Sequence, residues 1–143
     1  MIRYPLTYLA TFVVMLAMDS VWLMLTGGPL YRAYLGDLLL DGFRPVPAVL
    51  FYVLYVAGIM VFVVPSDSVP SGSGPRRLGR IALFGALFGV VCYATYDLTN
   101  QATMKNWSTI VTVADIAWGA VLTAVGSTLG TLLGDRGTRL LRR

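Results

Sequence analysis

The chain has 143 residues, 57% of them hydrophobic and only 13% charged, with a mean hydropathy of +0.72. Soluble domains carry roughly a quarter charged residues, so lipid rather than water is the expected solvent for most of this surface. The sequence has no His and no Glu. This excludes the usual zinc and haem ligands, His-dependent triads and Glu-based metal boxes, and no cofactor is expected. The net charge of +4 does not signal nucleic-acid binding, because the basic residues lie in tails and loops beside apolar runs. There they set topology and meet anionic headgroups. The single cysteine, Cys92, rules out an intrachain disulfide and reads as a small packing residue.

A helix needs about 20 apolar residues to cross about 30 Å of hydrocarbon. Four segments qualify: 6–26, 46–64, 81–98 and 107–133. The first is too long an apolar run, with no A-x-A pattern after it, to read as a cleavable signal peptide. Gly27, Gly28 and Pro29 are expected to end it. In the loop that follows, Tyr31, Tyr34, Leu35, Leu38 and Leu39 recur at the spacing of an amphipathic helix, which predicts a short helix on the membrane surface. Pro45 and Pro47 introduce the second span, a position where Pro is well tolerated. A Ser/Gly/Pro-rich linker occupies 65–80, Asn100 to Asn106 makes a short polar turn, and a basic tail covers 134–143. The expected fold is therefore a single all-α membrane domain, a four-transmembrane-helix bundle with a short interfacial helix in the first external loop.

Orientation follows from the Lys and Arg count. Arg3, Arg76, Arg77, Arg80, Arg136, Arg139, Arg142 and Arg143 share one side, eight in all, against Arg32, Arg44 and Lys105, three, on the other. The positive-inside rule puts both termini in the cytoplasm. Gly85 and Gly89 in the third span, and Gly126, Gly130 and Gly134 in the fourth, repeat at small-x-x-x-small spacing. They mark close helix contacts, either within one chain or between copies in a homo-oligomer.

The residues that lipid discourages carry the functional signal. Asp19 in the first span and Asp115 in the fourth are each followed three residues later by an indole, Trp22 and Trp118. The second and third spans carry Tyr52–Tyr55 and Tyr93–Tyr96, and Asp97 and Asn100 follow near the external end. At about 1.5 Å rise per residue, Asp19, Tyr52, Tyr93 and Asp115 all come out about 8–12 Å below the outer ends of their spans. An ionised Asp facing lipid costs several kcal/mol, from about 2.5 upward. Both acids are therefore expected to face a shared interior chamber, each beside its own neighbouring indole, with one proton between them. Asp97 reads as capping or turn chemistry at the helix end. Aromatic walls with a few polar groups are what small-ligand pockets show, so the expected partners, besides the bilayer, include a small amphipathic or lipid-derived molecule. If there is catalysis, Asp and Tyr acid–base chemistry is the ready option. The competing readings are a small proton-coupled transporter and a non-catalytic partner of a membrane lipid-modifying enzyme.

Asp19-x-x-Trp22-Leu23, the Phe51–Tyr55 run, Tyr96-Asp97-Leu98-Thr99-Asn100 with Trp107, and Asp115-x-x-Trp118-Gly119 resemble, in order and over nearly the whole chain, the predicted bacterial membrane proteins of domain-of-unknown-function family 2177. The resemblance implies a four-helix protein of the bacterial inner membrane, encoded near lipid-modifying enzymes such as cyclopropane-fatty-acid synthases, and it carries over no catalytic residue. The linker and the Arg-rich tail are particular to this sequence.

Overall fold

The computed structural model describes residues 2–64 and 74–141. Four long helices organise them: α1 (Arg3–Thr26), α2 (Pro45–Phe62), α3 (Pro75–Thr103) and α4 (Thr109–Leu141). Each is long and apolar enough to cross a membrane, and no strand occurs among the described residues. Pro45 and Pro75 open their helices at the first turn, where the missing amide proton would have had no intrahelical acceptor. Arg44, in front of Pro45, is extended, as the steric demand of the following ring requires. Asn106, at a φ of 62°, turns the chain between α3 and α4.

The first helix does not stop at Gly27. The chain widens into a π-helical stretch over Gly27–Arg32, in which the Ala33 amide reaches the Gly28 carbonyl, and then runs on through helical turns to Leu38. Two glycines and a proline would end an ordinary helix. Here the wider π turn accommodates Pro29, whose ring would otherwise collide with the carbonyl of the preceding turn. The segment expected as a separate amphipathic helix is thus the continuation of α1, with Leu35 buried and Tyr34 and Leu38 exposed. At the other end, the expected basic tail continues α4 to Leu141, and α3 starts at Pro75 inside the expected linker; residues 65–73 of that linker lie outside the described residues.

α4 is the central strut, packed chiefly on α1 on one side and α3 on the other. The glycines make this approach possible within one chain. A methyl group on Gly126 would lie 2.6 Å from Met15 Cγ, one on Gly130 2.7 Å from Thr11 Cα, and one on Gly134 2.7 Å from Thr7 Cα. These pairs step by four residues in opposite directions, the signature of antiparallel helices meeting along their i, i+4 rows. On the α3 side, a Cβ at Gly85 would lie 2.9 Å from the Thr123 carbonyl, and one at Gly89 2.6 Å from Gly119 C. α2 sits more peripherally. It is held by Tyr8 Oη donating to the Val53 carbonyl (3.0 Å) and by a bond of 2.8 Å between Tyr55 Oη and Thr123 Oγ1.

The buried hydroxyls of α4 are satisfied without leaving their helix. Thr123, Ser127, Thr131 and Thr138 donate to the carbonyls of Gly119, Thr123, Ser127 and Gly134 at 2.6–2.8 Å. A dry interior demands such internal pairing. Thr7 and Thr11 have hydroxyl oxygens without a hydrogen-bond partner, and these lie against Gly134 and Gly130, the arrangement of weak Cα–H···O contacts between close helices. At the end carrying both termini, Arg3 Nε (2.8 Å) and Arg77 Nη1 (2.7 Å) grip the two oxygens of Asp135 and tie α1, α3 and α4 together.

A methyl group at Gly130 has nowhere to go, whereas one at Gly27 meets nothing within 4 Å. Gly130→Ala is expected to lower stability by about 1–3 kcal/mol through overpacking. Gly27→Ala should leave it unchanged, as read by thermal or dodecyl-sulfate unfolding of the purified protein.

Candidate functional site

The register set by the glycines carries the polar residues of α1 and α4 past one another. Continuing Thr7–Gly134, Thr11–Gly130 and Met15–Gly126 by one more turn brings Asp19 and Trp22 to the level of Gly119, Leu122 and Trp118. The result is a crossed pairing. Asp19 accepts from the indole of the opposite helix, Trp118 Nε1 (2.9 Å), and from Tyr52 Oη of α2. Trp22 Nε1 donates to Tyr31 Oη (2.9 Å), and Tyr31 in turn donates to Asp115. Each carboxyl was expected to rest beside the indole three residues along its own helix. Instead Trp118 serves the acid of α1, because antiparallel helices place Trp118 at the depth of Asp19 and Trp22 toward the depth of Asp115.

The two branches meet in an indole stack. Trp22 and Trp118 lie face to face, with centroids 4.4 Å apart and planes 6° from parallel. Both acids are buried, at 8% exposure each, as the cost of a lipid-facing carboxylate demands. No hydrogen bond joins them: Asp19 accepts a phenol O–H and an indole N–H, and Asp115 accepts a different phenol O–H. That corrects the expectation of one proton held between them.

The space in this region lies on the other side of Asp115. A cleft of about 370 Å³ opens between α2, α3 and α4, lined by Phe51, Tyr55, Cys92, Tyr93, Tyr96 and Asp115. Its volume falls in the range of about 300–1,000 Å³ typical of small-molecule sites. Tyr93 is fixed because its ring occupies the space a side chain at Gly119 would need. Tyr55 stands edge-on to Tyr93 (6.3 Å, 88°) and tilts against Phe51 (5.2 Å). Tyr96 is 61% exposed at the rim and packs edge-on to Trp107.

Asp97 departs most from expectation. It caps no helix end: α3 runs on to Thr103, and Asp97 is fully buried (0% exposed), with neither carboxyl oxygen meeting a hydrogen-bond partner. Asn100, one turn further, belongs to neither branch, and its backbone carbonyl accepts from Met104 N–H at the close of α3 (2.8 Å). No Lys or Arg among the described residues pairs with Asp19, Asp97 or Asp115; the ion pairs there use Asp41 and Asp135. No group of three or more acids or cysteines that could hold a metal ion occurs among the described residues.

Tyr31 is the member of the network that sequence reading missed. It was assigned to the apolar stripe of a surface helix, and nothing in its neighbourhood marks it as a partner for Asp115, 84 positions away. From the helical continuation of α1 over Gly27–Arg32, the Tyr31 hydroxyl reaches both Trp22 and Asp115.

The crossed pairing has a direct test. Trp118→Phe keeps an aromatic ring but removes a donor from buried Asp19, which should cost about 1–3 kcal/mol of stability. Trp22→Phe, which removes a bond to a neutral hydroxyl, should cost about 1 kcal/mol. Either change should abolish the far-ultraviolet exciton couplet of stacked indoles in circular dichroism; a couplet that persists in both variants would contradict the stack.

No curated protein and no solved structure matches the chain, so neither the crossed network nor the cleft has a counterpart from which a role transfers. The family comparison is positive: the description "Predicted membrane protein (DUF2177)" matches residues 4–132, which includes every residue of the network and the cleft. The chain belongs to the DUF2177 family of predicted membrane proteins.

Proposed function

We propose that this protein binds a small amphipathic or lipid-derived molecule in the cleft beside Asp115, with the Asp19–Trp118 and Trp22–Tyr31–Asp115 branches holding the walls rigid. The observation that carries this reading is the composition of the cleft: aromatic rings from α2 and α3 and one buried carboxyl from α4 that a tyrosine already orients. Such a lining accepts an apolar body and fixes a single polar end. Acid–base chemistry on the bound molecule by Asp115 or a tyrosine is the extension of this reading, and binding is its first requirement. A transport reading would need a polar route to the end carrying the termini. The α4 hydroxyls that lie along that route donate to their own helix, so binding is the function we retain.

Native mass spectrometry of protein released gently from membranes is expected to show one amphipathic molecule retained per chain. Filling the cleft with Cys92→Trp should reduce occupancy at least about tenfold, equivalent to roughly 1.4 kcal/mol. Retention of no ligand by either protein would end the proposal, and a stoichiometric protein partner in its place would favour the non-catalytic subunit.

The same reading places the protein in the bacterial inner membrane, with both termini cytoplasmic and the cleft toward the outside. The basis is the eight-to-three split of basic residues and the Arg3–Asp135–Arg77 cluster at the terminal end. Reporter fusions should be active as cytoplasmic reporters after Leu141 and as periplasmic reporters within the stretch 39–44; the reverse pattern would invert the topology.

A further inference from the structure

The one acid that lines the cleft is Asp115, with a second, Asp97, buried near it, and neither has a cationic partner among the described residues. Asp97 lies one turn beyond Tyr93 on the same face of α3, next to the rim residue Tyr96. The α3–α4 register that seats Gly85 against Thr123 and Gly89 against Gly119 carries Tyr93 to the level of Asp115 and Asp97 to the level of Val111 and Thr112, one turn further out. A buried carboxyl with neither oxygen paired is among the most expensive groups a dry interior can hold, and native proteins seldom keep one without a partner. Thr112 supplies no donor: its hydroxyl accepts from Trp107 Nε1 (3.0 Å) and is directed to the Ser108 carbonyl (3.4 Å). No Lys, Arg or His is at hand among the described residues.

The second observation is independent of the acids. The cleft wall is a cage of rings, Phe51 and Tyr55 tilted against each other and Tyr55 perpendicular to Tyr93, with Tyr96 at the mouth. Aromatic faces set at angles around a small volume, closed by a carboxylate, are the chemistry that recognises an organic ammonium. The ring quadrupoles attract the diffuse positive charge, and the acid neutralises it. A neutral head would have only apolar contact with the rings, without the cation–π attraction, and an anionic one would be repelled by the acid.

We infer that the molecule taken up in the cleft carries a cationic, ammonium-type head, held within the Phe51–Tyr55–Tyr93–Tyr96 cage with Asp115 at its wall and Asp97 behind it. This rests on the amphipath-binding reading above and specifies its ligand class. The shared chemistry is an ammonium group, which an amino-headed lipid and a soluble amine both offer.

Cys92 lines the cleft and is the sole cysteine of the chain, so its alkylation by N-ethylmaleimide, read by intact mass, reports occupancy without background. Native mass spectrometry of the same samples counts bound ligand should the thiol react slowly. Octyltrimethylammonium is expected to protect Cys92 and to bind at concentrations about tenfold below those at which octyl glucoside or octyl sulfate does so. Asp97→Asn and Asp115→Asn should each erase most of that preference. Equal binding of octyl glucoside or octyl sulfate by the wild-type protein would overturn the cationic assignment and leave amphipath binding standing. Equal protection by tetramethylammonium, which has no tail, would uphold the cation and overturn the amphipath. Failure of every probe to bind would remove both. The wild-type series decides these outcomes even if an Asp variant does not fold.

Discussion

Everything polar in this protein is positioned by the close approach of α4 to α1 and α3. Within lipid there is no hydrophobic drive to bring helices together, so contact has to come from backbone proximity and the dispersion it allows. Gly126, Gly130 and Gly134 remove side chains on the side facing α1, and Gly119, with Gly85 and Gly89 of α3, does so on the other. The spacing of four leaves one register in which Thr7, Thr11 and Met15 each find a glycine. Slipping by one residue would drive Met15 into a side chain. The fixed register delivers Asp19 to Trp118 and Trp22 toward Asp115.

The polar layer then follows from the cost of burying acids. Asp19 receives a phenol from α2 and an indole from α4, so three helices share one carboxyl. Asp115 receives a phenol from the extension of α1. These bonds contribute more than capping each charge. Peripheral α2, which has few close backbone contacts with the rest, is anchored by Tyr52 to Asp19, by Tyr55 to Thr123 and by the Val53 carbonyl to Tyr8. The same α2 provides Phe51 and Tyr55 to the cleft, so the element that closes the site is held by these hydrogen bonds together with the core packing of Val56 and Ile59. Asp97 stands outside this network of donors, with neither carboxyl oxygen paired.

Family membership and the four long apolar helices agree on a membrane protein, and the functional argument rests on this chain's own geometry. The end with the termini is closed by Arg3, Arg77 and Asp135 and by hydroxyls bonded within their own helix. The opposite end has the open volume, the aromatic surface and the unpaired acid. That asymmetry favours a site served from one face of the membrane over a path through it.

The number and approximate limits of the helices were legible in the sequence because crossing lipid demands long uninterrupted apolar runs. The glycine rows were visible as contact surfaces, since nothing but close packing explains their spacing in lipid. Which surface each one met, however, depended on the rotation of helices far apart in the chain. Local rules failed at particular places for the same reason. Gly27-Gly28-Pro29 reads as a stop, yet tertiary contacts carry the helix through it as a π turn and bring Tyr31 to Asp115. Trp118 reads as the neighbour of Asp115, yet antiparallel packing gives its N–H to Asp19. Asp97 reads as a cap, yet α3 continues beyond it and buries it. The sequence by itself determined how far along its own helix each acid, indole and phenol lies, because distance along a helix is a property of the chain. Only the tertiary structure decided which acid met which donor and which was left unpaired, because azimuth and partner are properties of packed helices.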